Sequence, residues 1–411
     1  MSGKIKLNAA SGGGSVSIQA PSSESNNRTL TLPSDADGTI VSKDTTNNLA
    51  NIASINSGSI GTNNLVINGA FTVAQRSSDP VNDDSYRTVD RFQLLYGGTD
   101  NHPTQAQHAL TSSDTGPYEK GFRFSYHITN GDQTSGAGTN DNLYIQTKLE
   151  SQDLANSGWN YTSASSFITL SFWVKSSVAQ NFYGYLRTMD GTGQRYAFET
   201  GSLSADTWTK VTKTISGNSN LQFDNDANEG LQIIIAPFFG TAFTDSGVSL
   251  NAWGAYSSSA RMPDNTSTWY TTNDATFEIT GVQLEVGSTA SAFAMETYGD
   301  TLRKCQRYLY ILDMGSASNN HFLLLARFSH NNGVGYGDVQ FPTTMRNNPS
   351  FSYLGTAITQ SGYAGDPGLY ASTPTMATLY GGTSTVANGI TYLRRGSDSN
   401  AFLKLVFSAE L

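Results

Sequence analysis

Short runs in which apolar and polar residues alternate recur along most of the chain, the period of a strand with one face buried. Between Asn64 and about Met295 these runs are LVINGAF, VDRFQLLY, GFRFSYHI, NLYIQTKL, FITLSFWVK, NFYGYLRT, QRYAFET, TWTKVTKTI, GLQIIIAP and TFEITGVQLEV, with Gly, Asn and Asp turns between them. The pattern predicts an antiparallel sandwich, best matched by a jelly roll. Alternation places Phe122, Phe124 and Tyr126 on one face, and Phe167, Thr169, Ser171 and Trp173, or the opposite set, on another. Two Asn/Ser/Gly-rich inserts, Asp100 to Lys120 and Thr241 to Asp274, read as long loops.

The stretch Thr276 to Leu312 changes period three times. Phe277, Ile279, Val282 and Leu284 alternate with a break at Thr280-Gly281, as at a bulge. A small-residue turn follows, and Asp300 stands where a helix N-cap would, ahead of TLRKCQRYL. Leu302, Cys305 and Leu309 line one face of that helix. Alternation resumes at Tyr308 and continues in RYLYIL, HFLLLARFSH, GYGDVQFP, SFSYLG, TMATLY, GITYLRR and FLKLVFSA, a second and smaller sandwich. At the other end KIKLN, SVSIQ, RTLTL and GTIVS are four short strands whose few apolar residues are too small a core to fold alone. The expected order is an N-terminal β segment (1–43), a linker (44–63), the jelly roll (64–296), a connecting helix (297–306) and a C-terminal sandwich (307–411). The fold class is all-β.

Composition sharpens this. Charged residues are 14% of the chain, against roughly 25% in ordinary soluble domains, while Gly numbers 40 of 411, a sheet-and-turn balance. A net charge of -9 without a basic stripe argues against nucleic acid. One cysteine excludes an intrachain disulfide or a cysteine-based metal cluster, and Cys305 reads as a buried thiol. The sequence has neither a signal-peptide pattern nor an apolar stretch of membrane-spanning length, so neither Sec export nor membrane insertion is expected.

Several phrases carry a family resemblance: NLVINGAFTVAQRS (Asn64 to Ser77), DRFQLLY (Asp90 to Tyr96) and ITGVQLEVGSTASAF with CQRYL. They resemble tail fibre proteins of tailed bacteriophages, including phages of cyanobacteria. The order of NGAF, SFWVKS and ITGVQLEVG also resembles carbohydrate-binding-module jelly rolls, in which first and last strands pair. The phrase GGGSVSIQAPSSESNNRTLTLPSDADGTIV resembles the segment that attaches phage fibres to the tail or baseplate; Ile5, Leu7, Val16, Ile18, Leu30 and Leu32 of residues 1–43 would form that attachment. FPTTMRNNPSF resembles a turn of fibre C-terminal domains, with Met345 plugging the core and Arg346 bonding loop carbonyls. The resemblance implies a homotrimeric fibre of the virion tail, made in the host cytoplasm. Its partners would be a tail or baseplate adaptor and a host lipopolysaccharide or other surface glycan.

Candidate chemistry is sparse. The histidines His102, His108, His127, His321 and His330 show no metal or hydrolase spacing, and His127 reads as an edge residue, His108 as part of a loop. Glu150, Glu278 and Glu285 read as exposed strand glutamates. Asp224, Asp226, Asn228 and Glu229 could ligate calcium but depart from the twelve-residue calcium loop, so they read as a solvated acidic turn. No catalytic residue, metal ligand or cofactor is assigned. Sugar binding asks instead for flat aromatic faces beside Asn, Asp and hydroxyl groups. The C-terminal loops supply that mixture in His330, Asn332, Tyr336, Tyr363, Asp366, Tyr370, Tyr380 and Asn388. A polysaccharide hydrolase and a purely structural baseplate or collar component remain the alternatives to a glycan-binding fibre.

Overall fold

The computed structural model describes residues 4–8, 15–19, 64–313, 322–325, 327–328, 335–355, 357–360, 368–381, 391–395 and 403–411. Two units are distinct, Met1–Asn56 and Ser57–Leu411. In the first, β1 (Lys4–Asn8) and β2 (Ser15–Gln19) form an antiparallel hairpin whose register sets Ile5 opposite Ile18 and Leu7 opposite Val16. Leu30 and Leu32, the runs RTLTL and GTIVS and the expected linker lie outside the described residues.

The second unit begins with the expected sandwich. Its strands are β3 (Phe92–Gly97), β4 (Thr104–Ala109), β5 (Phe124–Thr129), β6 (Asn142–Glu150), β7 (Phe167–Ser176) and β8 (Asn181–Thr188). They continue with β9 (Gln194–Ser202), β10 (Thr209–Ser216), β11 (Glu229–Phe239), β12 (Trp253–Ala255) and β13 (Thr276–Val286), and a short helix α1 (Ser151–Ala155) follows β6. One sheet runs β10-β7-β13-β5-β4 and the other β12-β9-β8-β11-β6-β3, all antiparallel. Successive strands cross repeatedly from one sheet to the other, which is jelly-roll connectivity. Ile168, Leu170, Phe172 and Val174 of β7 face the core together with Tyr126, Ile128, Phe277, Ile279, Val282 and Leu284. Phe122, expected beside Tyr126, instead lies ahead of β5 and packs outside the sheet against Phe293, in a cluster with Leu110 and Trp208.

Two departures from the sequence reading lie in this sandwich. The run Leu65–Phe71 is a turn, because Asn68 and Phe71 take left-handed backbone (φ 61° and 54°). It still lies beside the last strand: Leu65 N–H donates to the Leu284 carbonyl at 2.9 Å, and Val282 N–H to the Gly69 carbonyl at 2.9 Å. A Cβ on Gly69 would fall 1.9 Å from that same Val282 oxygen, so only glycine allows the approach. The expected loop Asp100–Lys120 contains β4, the edge strand of the first sheet.

Helix α2 (Tyr298–Gln306) joins the sandwich to the C-terminal module. Its N-cap is Thr297 rather than Asp300; the Thr297 hydroxyl accepts from Asp300 N–H, and Asp300 lies within the first turn. Cys305 is buried as expected, with Thr301, whereas Leu309 already belongs to the next strand. That module holds β14 (Leu309–Asp313), β15 (Phe322–Leu325), β16 (Arg327–Phe328), β17 (Gly335–Gln340), β18 (Ser350–Gly355), β19 (Ala357–Gln360), β20 (Gly368–Ser372), β21 (Met376–Gly381), β22 (Thr391–Arg395) and β23 (Leu403–Ser408). They pair as β14-β23-β18, β15-β22-β19 and β16-β17-β21-β20. Leu405 and Phe407 of the first of these sheets pack on Val339, Ala377 and Leu379 of the last, with Met345 plugging the same core.

The two cores of this unit meet through charge. Glu150, fully buried at the end of β6, accepts from Arg307 Nε (2.6 Å) and Nη2 (2.7 Å) and from the Tyr308 hydroxyl (2.6 Å). Arg91 lies 3.4 Å over the Tyr308 ring and pairs with Glu410. Arg346 donates to the carbonyls of Ala409, Glu410 and Ala227, the structural role its sequence context implied. Among the described residues no helix is long and apolar enough to cross a membrane.

Candidate functional site

Of the tyrosines expected on C-terminal loops, Tyr336, Tyr370 and Tyr380 sit on strands. Alternation in β17 buries Gly337 and Val339 and turns Tyr336, Asp338 and Gln340 to the other face. In β21 Ala377 and Leu379 are buried, while Met376, Thr378 and Tyr380 alternate with them. Register sets Tyr336 directly opposite Tyr380, and Gly368 of β20 opposite Tyr380 on its other side. A Cβ on Gly368 would fall 2.4 Å from the Tyr380 ring, so the glycine is the floor on which that ring lies. A register shift between Leu369 and Ala371 brings Tyr370 onto Tyr336, with ring centroids 4.9 Å apart and planes at 74°. Tyr370 is 66% exposed and Tyr380 40%, so the rings are offered to solvent. Thr378 Oγ1 donates to Asp338 Oδ1 at 2.7 Å beside them. The result is an aromatic shelf with a carboxylate and hydroxyls at its edge. His330, Asn332, Tyr363, Asp366 and Asn388 lie outside the described residues.

A second constellation, not foreseen from the sequence, crosses the outer face of the five-stranded sheet. Register aligns Lys175 of β7 and His127 of β5 on either side of Glu278 of β13. Glu278 is 3% exposed, not a surface glutamate. Its Oε1 lies 2.9 Å from Lys175 Nζ and 3.4 Å from His127 Nδ1; its Oε2 accepts from Ser125 Oγ at 2.6 Å and lies 3.3 Å from His108 Nδ1. Lys175 Nζ also holds Asp114 Oδ1 at 3.0 Å and lies 4.9 Å from the centre of the Trp208 ring. Burial pushes the Glu278 carboxyl up, but bonds from His108 and Ser125 and the adjoining His127 ring outweigh it and hold the group far below the usual carboxylate range. Burial likewise raises Asp114, yet the Thr111 amide, Trp208 and Lys175 bring it down to about 2. The hydrogen bond to Glu278 raises His108. Both carboxylates are therefore ionised near neutrality. A cleft of about 370 Å³ adjoins the row, lined in part by Asp79, Gln107, His108, His127 and Thr129.

Two expectations about these residues need correction. His127 lies within β5 and His108 within β4, not at an edge and in a loop. Glu150 and Glu285 are also buried, Glu285 because its carboxylate accepts from Ser291 and Gln283. A usable signal was present: Glu278, Thr280, Gln283 and Glu285 form a polar stripe along a strand buried on both faces. In the acidic turn at residues 224–229 Asn228 N–H donates to Asp226 within the turn, Asp224 N–H donates to Asp190 of another loop, and Glu229 lies 3.3 Å from Lys148 of β6.

No family model matches the sequence, and no curated protein matches it. Among solved structures, similar chains include the enzymatically active domain of tailspike protein 4 of bacteriophage CBA120, at 11% identity and TM-score 0.29. That match covers 55% of this chain and 21% of the tailspike, so this chain spans about a fifth of its length. The N-terminal cellulose-binding domain of Cellulomonas fimi β-1,4-glucanase C is 9% identical, TM-score 0.25, over 53% of this chain and 99% of that one. The family 11 carbohydrate-binding module of Lic26A-Cel5E from Clostridium thermocellum is 11% identical, TM-score 0.23, over 54% and 99%. Scores this low carry no statement about function.

Proposed function

We propose that this protein is a non-enzymatic tail fibre of a tailed bacteriophage that binds a host cell-surface glycan through its C-terminal module. On this reading it is a homotrimer of the virion tail, with residues 1–43 held by a tail or baseplate adaptor. The tail assignment rests on the sequence phrases described above. The observation that carries glycan binding is the shelf on which the exposed rings of Tyr370 and Tyr380 flank the half-buried Tyr336, with Asp338 and Thr378 beside them to bond sugar hydroxyls. Such sites are weak singly, and repetition on three chains multiplies them.

Hydrolysis of a polysaccharide asks for a carboxyl held protonated opposite a second carboxylate. Glu278 and Asp114, which share Lys175, are both held ionised and so do not make such a pair with each other. The test is adsorption: purified full-length protein should block phage adsorption to a susceptible host and bind its lipopolysaccharide without releasing reducing ends. Tyr370→Ala with Tyr380→Ala should abolish that competition. New reducing ends, or undiminished competition by the double variant, would overturn the reading.

A further inference from the structure

We propose that His108, His127 and Glu278 form a binding site for a divalent transition cation of the zinc class, separate from the tyrosine shelf. Each offers one ligand atom, and the three lie within 4.8 Å of one another. The Nδ1-to-carboxylate separations are 3.3 Å from His108 to Oε2 and 3.4 Å from His127 to Oε1, each close to the edge of a tetrahedron, about 3.3–3.4 Å when metal–ligand bonds are ~2.0–2.1 Å, so an ion would sit between the two rings and the carboxylate edge. Two imidazoles with one carboxylate select zinc, cobalt, nickel or copper over calcium and magnesium, which prefer an all-oxygen shell.

The independent observation is His127 Nδ1. It is buried and has no hydrogen-bond partner, yet it points at Glu278 Oε1. On the other side of the ring, Nε2 lies 3.1 Å from Thr129 Oγ1. If Nε2 donates there, Nδ1 presents a bare lone pair to a carboxylate, an arrangement that a cation between them turns from repulsive to attractive. Thr129 and Ser125, the latter donating to Glu278, are then the outer groups that orient the ligands. His108, whose side chain is 49% exposed, opens onto the adjoining cleft and gives the ion a way in and a free fourth position.

Lys175 is the competing cation. Its ammonium occupies Glu278 Oε1 at 2.9 Å, and it retains Asp114 at 3.0 Å when it yields that oxygen. Competition between ammonium and metal for one carboxylate gives the proposal a signature that a merely structural polar row lacks: deleting the ammonium should tighten metal binding.

The test uses the full-length chain without a polyhistidine tag, freed of metal and titrated with Co²⁺ and Zn²⁺ by calorimetry and visible absorption. One equivalent per chain with a tetrahedral cobalt spectrum is expected. His108→Ala and His127→Ala should each weaken binding by at least a hundredfold, and Thr129→Val by roughly tenfold. Lys175→Met should bind about tenfold more tightly, and Zn²⁺ should raise its melting temperature more than that of the unaltered chain. His108 lies at an edge strand, so its variant keeps the test valid should His127→Ala fail to fold. Absence of binding, binding undiminished by both histidine variants, or weaker binding by Lys175→Met would overturn the proposal.

Discussion

Removing the Arg307 guanidinium should uncouple the C-terminal module from the jelly roll more than any other single change at their junction. Glu150 has no exposed surface and accepts two charge-assisted bonds from Arg307, whose side chain is 28% exposed. In Arg307→Met the carboxylate would keep only the Tyr308 hydroxyl and the Gln152 amide. An uncompensated buried charge costs about 3–5 kcal/mol, whereas Glu150→Gln with Arg307→Met removes both charges and should cost about 1–2 kcal/mol. The double variant should therefore be more stable than Arg307→Met alone. The pH dependence should also change sign. In the native chain burial raises Glu150, but Arg307 and Tyr308 outweigh it and leave the carboxyl below its ordinary value. That stability is present above the unfolded pKa and is lost as pH falls through the lower folded one. With Arg307 gone, burial is largely unopposed, the folded pKa lies above the unfolded one, and the variant loses stability as pH rises between them. Hydrogen exchange at Leu309–Asp313 and Leu403–Ser408 reads the local opening energy directly. A loss under about 1 kcal/mol, the value of an exposed pair, or the same loss at acidic and neutral pH, would refute the account.

Three further outcomes follow from the geometry. Gly69→Ala drives a Cβ into the Val282 carbonyl and should cost about 1–3 kcal/mol of overpacking, seen as a lower urea midpoint. Burial pushes the Asp90 carboxyl up to about 6 against hydrogen bonds from Gln75. Between the unfolded pKa and 6 the native chain binds more protons, so this residue's contribution to stability falls as pH rises across that window, and Asp90→Asn should flatten the midpoint-versus-pH curve there. Losing two aromatic contacts of about 0.5–1.5 kcal/mol each, Tyr370→Ala with Tyr380→Ala should weaken glycan affinity roughly tenfold to hundredfold per site, with melting temperature unchanged because both rings are solvent-facing.

What the sequence revealed and what it hid divide along the range of the forces involved. Alternation is local, so strands such as β6, β8 and β11 and the all-β class were readable from it. The phrases that resemble phage fibres prove to be positions with long-range duties. Asn68 is left-handed, accepts from Val73 N–H and donates to the carbonyls of Val73 and Asp90. Gly281, at φ 64°, leaves no room for a Cβ beside the Phe122 ring. Leu65–Phe71 looked like a strand because its apolar spacing outweighed the Asn-Gly pair that breaks it. Thr297, three residues before Asp300, was a legible cap that the acidic residue obscured.

The polar row was hidden for a different reason: it exists only after register is set. Glu278 meets His127 and Lys175 because β13 lies between β5 and β7, and nothing in the spacing of those residues along the chain encodes it. Average tendencies place glutamate at the surface, yet here the loop carrying Asp114 and the Leu110–Phe122–Trp208 cluster cover the sheet's outer face. Once that face is covered, a carboxylate on it must find partners before the strand can be buried, and Lys175, Ser125 and His108 supply them. The tyrosine shelf obeys the opposite logic. Tyr336 and Tyr380 occupy alternating positions on strands whose other face is core, and Tyr370 and Tyr380 keep their rings exposed. Two sheets of similar pairing thus diverge in chemistry according to what lies over them: the covered face collects neutralised charge, and the open face keeps its aromatic rings for contact outside the chain.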